Sequence, residues 1–337
     1  MGRPLRLRAG ANESNFGPSP RAVAAMVEAV EQVHWYGDPE GVELRDALAD
    51  KHGVASGEIV LGSGIDELLG LFVRALSNPG DVVVTSLGAY PTFNYHVEGY
   101  GGVLHKVPYC DDHEDLQGLA RAARVIEPNI VYLANPDNPM GTWHDAEALA
   151  AFIADLPSRS VLLLDEAYAD FAPADALLTP DVDRARVVHL RTFSKAHGMA
   201  GARIGYAIAP SELVSALNKV RNHFGVNRVA LAGALASLQD SDYVRQVAAE
   251  VERGKDTYRQ LAESLGTSVI PSATNFIALD VGDGTRARAL VAALLERGVF
   301  VRMPAVAPLD RCIRITVGPP AERPLLVEAL RAAWQEI

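Results

Sequence analysis

Val161-Leu162-Leu163-Leu164-Asp165-Glu166-Ala167-Tyr168 is an unbroken aliphatic run ended by two acids. A run without polar alternation reads as a strand covered on both faces, as in a parallel sheet with helices on either side. Working outward, Ile59 to Leu61, Asp81 to Thr85, Ile130 to Leu133, Val187 to Leu190 and Tyr206 to Ile208 are further strand candidates, separated by helical patterns. Asp38-Pro39 opens one such helix, Val42 to Lys51, and Gly53 closes it. Strand and helix in alternation predict a doubly wound α/β domain with a mainly parallel sheet. Ligands in such sheets bind beyond the carboxyl ends of the strands, which is where Asp165 falls.

After about residue 230 the pattern changes. Val244, Val247, Val251, Tyr258, Leu261 and Leu265 recur at helical spacing up to Gly266. Asn275 to Leu279, Leu290 to Arg297, Val299 to Arg302, Cys312 to Val317 and a terminal helix through Trp334 then read as strands with helices on one face. The expected division is a large α/β domain over 34–230 and a smaller α+β domain from 1–33 with 231–337.

The chain has 337 residues, 49% of them hydrophobic, which suits one large core and a companion. A net charge of -11 is the wrong sign for nucleic acid. No apolar stretch has the length of a leader or a membrane span, so a cytoplasmic protein with no membrane partner is expected. Cys110 and Cys312 are far apart and form no metal-ligand pattern, so both are read as buried thiols, with no metal expected.

Gly62-Ser63-Gly64-Ile65-Asp66-Glu67 lies between a strand and a helix, where free backbone N–H groups form an anion site or simply a tight turn. As a dinucleotide fingerprint it fails, because Glu67 holds the third glycine position. A nucleotide hydrolase is also disfavoured: the strand ending in Asp165-Glu166 has no phosphate-loop partner. The most informative stretch is Arg191-Thr192-Phe193-Ser194-Lys195-Ala196-His197-Gly198-Met199-Ala200-Gly201-Ala202-Arg203. Lys51, Lys219 and Lys255 fall on polar faces of helical patterns and Lys106 in an alternating strand, whereas Lys195 follows a strand among hydroxyls and glycines. A lysine enclosed in this way is held partly neutral, the form that makes a Schiff base. An amine, hydroxyls with Arg203 for a phosphate, and an aspartate for a ring nitrogen together equip a pyridoxal phosphate site.

Here the sequence resembles the class I/II aminotransferases of fold type I, and within them the histidinol-phosphate branch, from Asn12-Glu13-Ser14-Asn15-Phe16-Gly17-Pro18 to Ile313-Arg314-Ile315-Thr316-Val317-Gly318. The resemblance implies that Lys195 bonds pyridoxal 5'-phosphate and then moves the substrate proton, and that Asp165 pairs with the ring nitrogen. It implies that Asn138, in Asn135-Pro136-Asp137-Asn138-Pro139-Met140-Gly141, and Tyr168 meet the ring's 3' oxygen, and that Phe93 stacks on the ring. Gly64, Ile65, Thr192, Ser194 and Arg203 are implied to hold the phosphate, with Tyr36 reaching in from a second subunit of a homodimer. Arg314 is implied to bind a substrate carboxylate and Arg302 a substrate phosphate. Phe16 replaces a usual tyrosine near the substrate, Met140 a threonine, and His197 an aromatic or apolar residue.

The expected activity is a pyridoxal-phosphate-dependent aminotransferase of amino-acid biosynthesis, moving an amino group between a donor, first histidinol phosphate, and an oxo acid, first 2-oxoglutarate. Alternatives are an aromatic amino acid aminotransferase or a decarboxylase, lyase or cyclase on the same scaffold. A non-catalytic binding protein is disfavoured by the intact Lys195, Asp165 and Arg203.

Overall fold

The computed structural model describes residues 4–181 and 186–337. Its elements in chain order begin with β1 (Leu7–Arg8), α1 (Pro20–Val30), α2 (Val42–His52), β2 (Ile59–Gly62), α3 (Ile65–Leu76), β3 (Val82–Ser86), α4 (Pro91–Gly99) and β4 (Val103–Val107). Next come α5 (Leu116–Ile126), β5 (Ile130–Ala134), α6 (Ala146–Asp155), β6 (Val161–Asp165), β7 (Val187–Thr192), β8 (Gly205–Ile208), α7 (Ser211–Asn218) and α8 (Arg228–Leu238). The last are α9 (Ser241–Ser264), β9 (Val269–Ile270), β10 (Phe276–Asp280), α10 (Gly284–Glu296), β11 (Val299–Phe300), β12 (Cys312–Thr316) and α11 (Arg323–Trp334).

Strands β2 to β8 form one seven-stranded sheet in the order β2-β8-β7-β6-β5-β3-β4. Only β8 runs against the rest. The aliphatic run of β6 explains its central place. Val161 and Leu163 pack to one face with residues of α3, α4 and α7. Leu162 and Leu164 pack to the other, with residues of α5 and α6. A strand needing cover on both faces cannot sit at an edge. The expected start of α2 is present in modified form: Asp38 Oδ2 accepts from the Val42 N–H at 2.8 Å from outside the helix, across Gly41. Gly53 ends it in the left-handed conformation at φ 68°.

The second unit is a three-stranded antiparallel sheet, β12-β10-β9, backed by α9, α10 and α11 around a separate core. The parallel pair β1-β11 joins it. Segment 1–33 therefore divides. β1 belongs with the small unit, whereas α1 packs along α8, with Ala22 in a cluster shared with Leu44, Leu48 and Ile59.

Two single-residue expectations are corrected. Cys110 is exposed, because it lies in the turn after β4 where it bridges His113; Cys312 is buried in β12. Lys255 is not on a polar face: its stem is buried under the small sheet, and Nζ donates to the Ser272 carbonyl at 2.8 Å and pairs with Glu252. Among the described residues no helix is long and apolar enough to cross a membrane.

Behind β6 lies a buried charge cluster. Glu166 accepts from Arg191 Nε at 2.8 Å, and His189 Nδ1 stands 3.2 Å away. Burial pushes the Glu166 carboxyl up, but Arg191 and His189 outweigh it and hold the carboxyl at about 2. Glu166→Gln leaves Arg191 buried without its anion and should cost about 3 kcal/mol in denaturant unfolding at pH 7. Because the folded pKa lies below the unfolded one, the glutamate's contribution is complete above about pH 4.5 and fades as pH falls toward 2. The gap between wild type and variant should therefore narrow on acidification; a constant gap contradicts the assignment.

Candidate active site

β6 and β7 are neighbours, with Asp165 opposite Leu190, so Asp165 and the Thr192–Lys195 turn leave the sheet side by side. With the starts of α3 and α4 and the turn after β5, they enclose a cavity of about 470 Å³. Its lining includes Ile65, Asn138, Asp165, Tyr168, Thr192, Ser194, Lys195 and Arg203.

Lys195 Nζ donates to the Asn12 carbonyl at 3.0 Å and lies 5.5 Å from the Tyr168 ring centre. Burial, with the positive charge of Arg314, lowers its pKa to about 8. Neutral amine is thus abundant at mildly alkaline pH. Asp165 accepts from the Tyr132 hydroxyl at 2.8 Å and from the Ala167 N–H at 3.0 Å. Burial raises its carboxyl to about 6, so it gains strongly from any cation placed beside it. Burial likewise raises the Tyr168 hydroxyl to about 12, and that oxygen accepts from Asn12 Nδ2 at 2.8 Å.

The anion site is assembled from three segments. Gly64, at φ 88°, precedes α3, whose first turn presents unpaired N–H groups. A Cβ on Gly64 would stand 2.6 Å from Arg203 Nη2, so only glycine lets that guanidinium approach the helix start. Arg203 itself is left-handed at φ 59°, and Nη1 donates to the Ala200 carbonyl at 3.0 Å. Thr192 Oγ1 and Ser194 Oγ lie 3.0 Å apart beside it. Glu67 explains the failed glycine fingerprint: its carboxylate folds back to accept from the Ser63 N–H.

Arg314, in β12, reaches over from the small unit. Nη1 donates to Asn138 Oδ1, and the guanidinium lies 5.4 Å from the Phe276 ring centre. Nη2 donates to the Gly10 carbonyl at 3.4 Å, no carboxylate is ion-paired with it among the described residues, and Nε is buried with no hydrogen bond. Burial, with the positive charge of Arg302, lowers its pKa. Arg302 is bridged to Arg314 through the backbone, and its exposed guanidinium stands over Phe300.

Three expected site residues lie elsewhere in the chain's own fold. Phe93 does not line the cavity; it is fully buried beneath, stacked on Tyr132 at 4.4 Å, because it sits one turn into α4 on the core-facing side. Tyr90, the residue before α4, faces the cavity instead, with its hydroxyl donating to Asp66 at 2.9 Å. Phe16 packs against the small-unit core, its carbonyl accepting from Tyr243. Tyr36 is 79% exposed, beside Phe224, outside the cavity of its own chain. His197 is buried against Ser237 Oγ at 2.7 Å and does not reach the cavity. Tyr90, Asp66, Tyr132 and Asn12 were missed. Asn12 and Asp66 each stand inside a stretch that the sequence singles out, 12–18 and 62–67, whereas Tyr90 and Tyr132 carry no such signal.

The lining fits pyridoxal phosphate: a neutral amine for the aldehyde, a raised carboxyl for a ring-nitrogen cation, and a helix start with Arg203 for the phosphate. Comparison with known proteins agrees. The pattern of the family Aminotransferase class I and II matches residues 6–330. A histidinol-phosphate aminotransferase of Carboxydothermus hydrogenoformans is 37% identical over 95% of this chain and 89% of its own. One from Moorella thermoacetica is 35% identical over 96% and 84%. The solved histidinol-phosphate aminotransferase of Sinorhizobium meliloti, in complex with pyridoxal-5'-phosphate, superposes with TM-score 0.98 at 48% identity, covering 99% of this chain and 92% of that one. The chain belongs to the class I and II aminotransferases and is a pyridoxal-phosphate-dependent enzyme of fold type I.

Proposed function

We propose that this enzyme exchanges the amino group of L-histidinol phosphate with 2-oxoglutarate, as a homodimer in which Tyr36 of each copy meets the cofactor phosphate of the other. The observation that carries the substrate class is Arg314, a buried guanidinium whose Nε has no hydrogen-bond partner among the described residues, held next to the exposed Arg302. One substrate offers a phosphate and the other two carboxylates; a pair of arginines with unused donors suits both in turn. The relatives' names support the same choice.

Bound pyridoxal phosphate supplies an electron sink for the pair left when a proton departs from the substrate's Cα. Lys195 Nζ, its pKa lowered to about 8 by burial and Arg314, is the amine that would take and hold the proton leaving Cα. Asp165 would pair with the ring-nitrogen cation and keep it protonated, the partner that its buried carboxyl otherwise lacks. Asn138 and Tyr168 orient the ring through its 3' oxygen. The Gly64–Ile65 helix start, Thr192, Ser194 and Arg203 fix the phosphate. Exposed aromatic rings at Trp35, Tyr36 and Phe224, with Val23, Val27 and Val33 nearby in sequence, support a second copy as their cover.

Lys195→Ala should abolish turnover and leave unfolding unchanged; substantial residual transamination contradicts the role. In the apoprotein, the rate of recombination with pyridoxal phosphate should climb with pH and level off above about 8, since the neutral amine is the reactant. A rate still climbing at pH 10 means an ordinary solvated lysine. Arg302→Ala should raise KM for histidinol phosphate about 10- to 100-fold, the loss of a charged hydrogen bond, and leave an aromatic amino acid unaffected. An enzyme that turns over aromatic amino acids and not histidinol phosphate overturns the substrate reading, and a monomer in sedimentation overturns the dimer.

A further inference from the structure

Arg311 lies three residues before Arg314, outside the cavity, and every donor of its guanidinium facing the protein is engaged. Nε donates to Asp280 Oδ2 at 2.8 Å within the small unit. Nη1 donates to the Pro308 carbonyl at 3.2 Å. Nη2 donates across to the large unit, to both carboxylate oxygens of Asp112 at 2.9 and 2.7 Å. Asp112 holds a left-handed backbone at φ 66°, as does Asp111 at φ 48°, conformations that cost energy in residues with a Cβ.

The Asp112 carbonyl in turn accepts from Thr142 Oγ1 at 2.8 Å. The Thr142 carbonyl accepts from the Asp137 N–H at 2.8 Å, closing the turn that carries Asn138. Asp137 braces this turn from below, its Oδ2 accepting from the Met140 N–H at 2.8 Å and its Oδ1 from Tyr109 at 2.8 Å. Asn138 then accepts from Arg314, three residues from the starting point. The path Arg311, Asp112, Thr142, Asp137, Asn138, Arg314 is therefore a closed ring that crosses between the two units twice.

We propose that Arg311 and Asp112 are positioning residues that set where Arg314 presents its guanidinium, and so tune affinity for carboxylate substrates without touching them. The inference rests on Arg314 as the carboxylate site. Among the described residues, Asn138 is the one large-unit side chain that hydrogen-bonds Arg314. The registration of Arg314 beside Asn138 therefore depends on how β12 sits against the 135–142 turn, and Arg311, with Nη2 on both Asp112 oxygens and Nε on Asp280, is the ion-paired contact that fixes this. Both partners are about four-fifths buried, which limits screening by salt.

The test is titration of the holoenzyme with L-glutamate alone, following the cofactor's visible absorption, in wild type, Arg311→Gln, Asp112→Asn, their double variant and Arg314→Lys. The expected result for each single clamp variant is a roughly tenfold rise in the glutamate concentration giving half-maximal rate. The limiting rate, the starting spectrum and the cofactor affinity stay within about twofold. The double variant should match the single variants, since both break the same link, and Arg311→Lys should recover only part of the loss because one ammonium cannot span Asp112, Asp280 and the Pro308 carbonyl as the planar guanidinium does. Loss of limiting rate or of cofactor affinity in proportion to the concentration shift indicates general loosening and overturns the proposal. An unchanged half-maximal concentration in Arg311→Gln and Asp112→Asn overturns it too. If Arg314→Lys still raises that concentration, the carboxylate site stands without the clamp. If Arg314→Lys leaves it unchanged, the reading of Arg314 falls, and the proposal with it. Should Arg311→Gln fold poorly, Asp112→Asn, which keeps the Asp112 carbonyl contact, decides alone.

Discussion

Exclusion of water at the carboxyl ends of β6 and β7 acts on two opposite ionisable groups at once. It raises the Asp165 carboxyl to about 6 and, with Arg314, lowers the Lys195 amine to about 8. Each group is thereby moved toward neutrality, and each is held ready for what the cofactor brings: a ring-nitrogen cation for one, an aldehyde for the other. The same exclusion depends on β6 being covered on both faces, which in turn depends on the run Val161 to Leu164. Fold and chemistry are linked through that strand.

The small unit contributes charge rather than enclosure. Arg314 and Arg302 come from β12 and the residues after β11, and Arg314 meets the large unit at Asn138. A buried guanidinium with an unused Nε is costly unless a ligand completes it. Arg314 thus meets the cavity-lining Asn138 without an ion-paired carboxylate among the described residues, whereas Glu166 with Arg191 and His189 forms a compensated cluster behind β6.

Much of this is legible in the residues alone. The strands of the large unit announce themselves as short aliphatic runs, and Lys195 stands out among the lysines because glycines and hydroxyls surround it. What escapes is set by contacts between distant segments. Nothing local shows that Phe93 turns inward to stack on Tyr132 while Tyr90 faces the cavity; one turn of α4 decides it. Lys255 reads as a surface residue by its charge, yet its stem is covered by a sheet formed from residues after it. α1 packs on α8, some 200 residues later in the chain, a contact that no local spacing marks. The Arg311–Asp112 ring joins residues from both units, and no spacing along the chain marks it.

Whether the constellation of Lys195, Asp165 and Arg203 performs amino transfer is tested most directly by the absorption spectrum of the purified holoenzyme before and after L-glutamate, with no oxo acid present. Amino transfer predicts that the visible band of the bound cofactor gives way to a near-ultraviolet band, and that 2-oxoglutarate restores it. A protein that shows no cofactor band after reconstitution with pyridoxal phosphate, or whose band neither glutamate nor histidinol phosphate alters, contradicts the account.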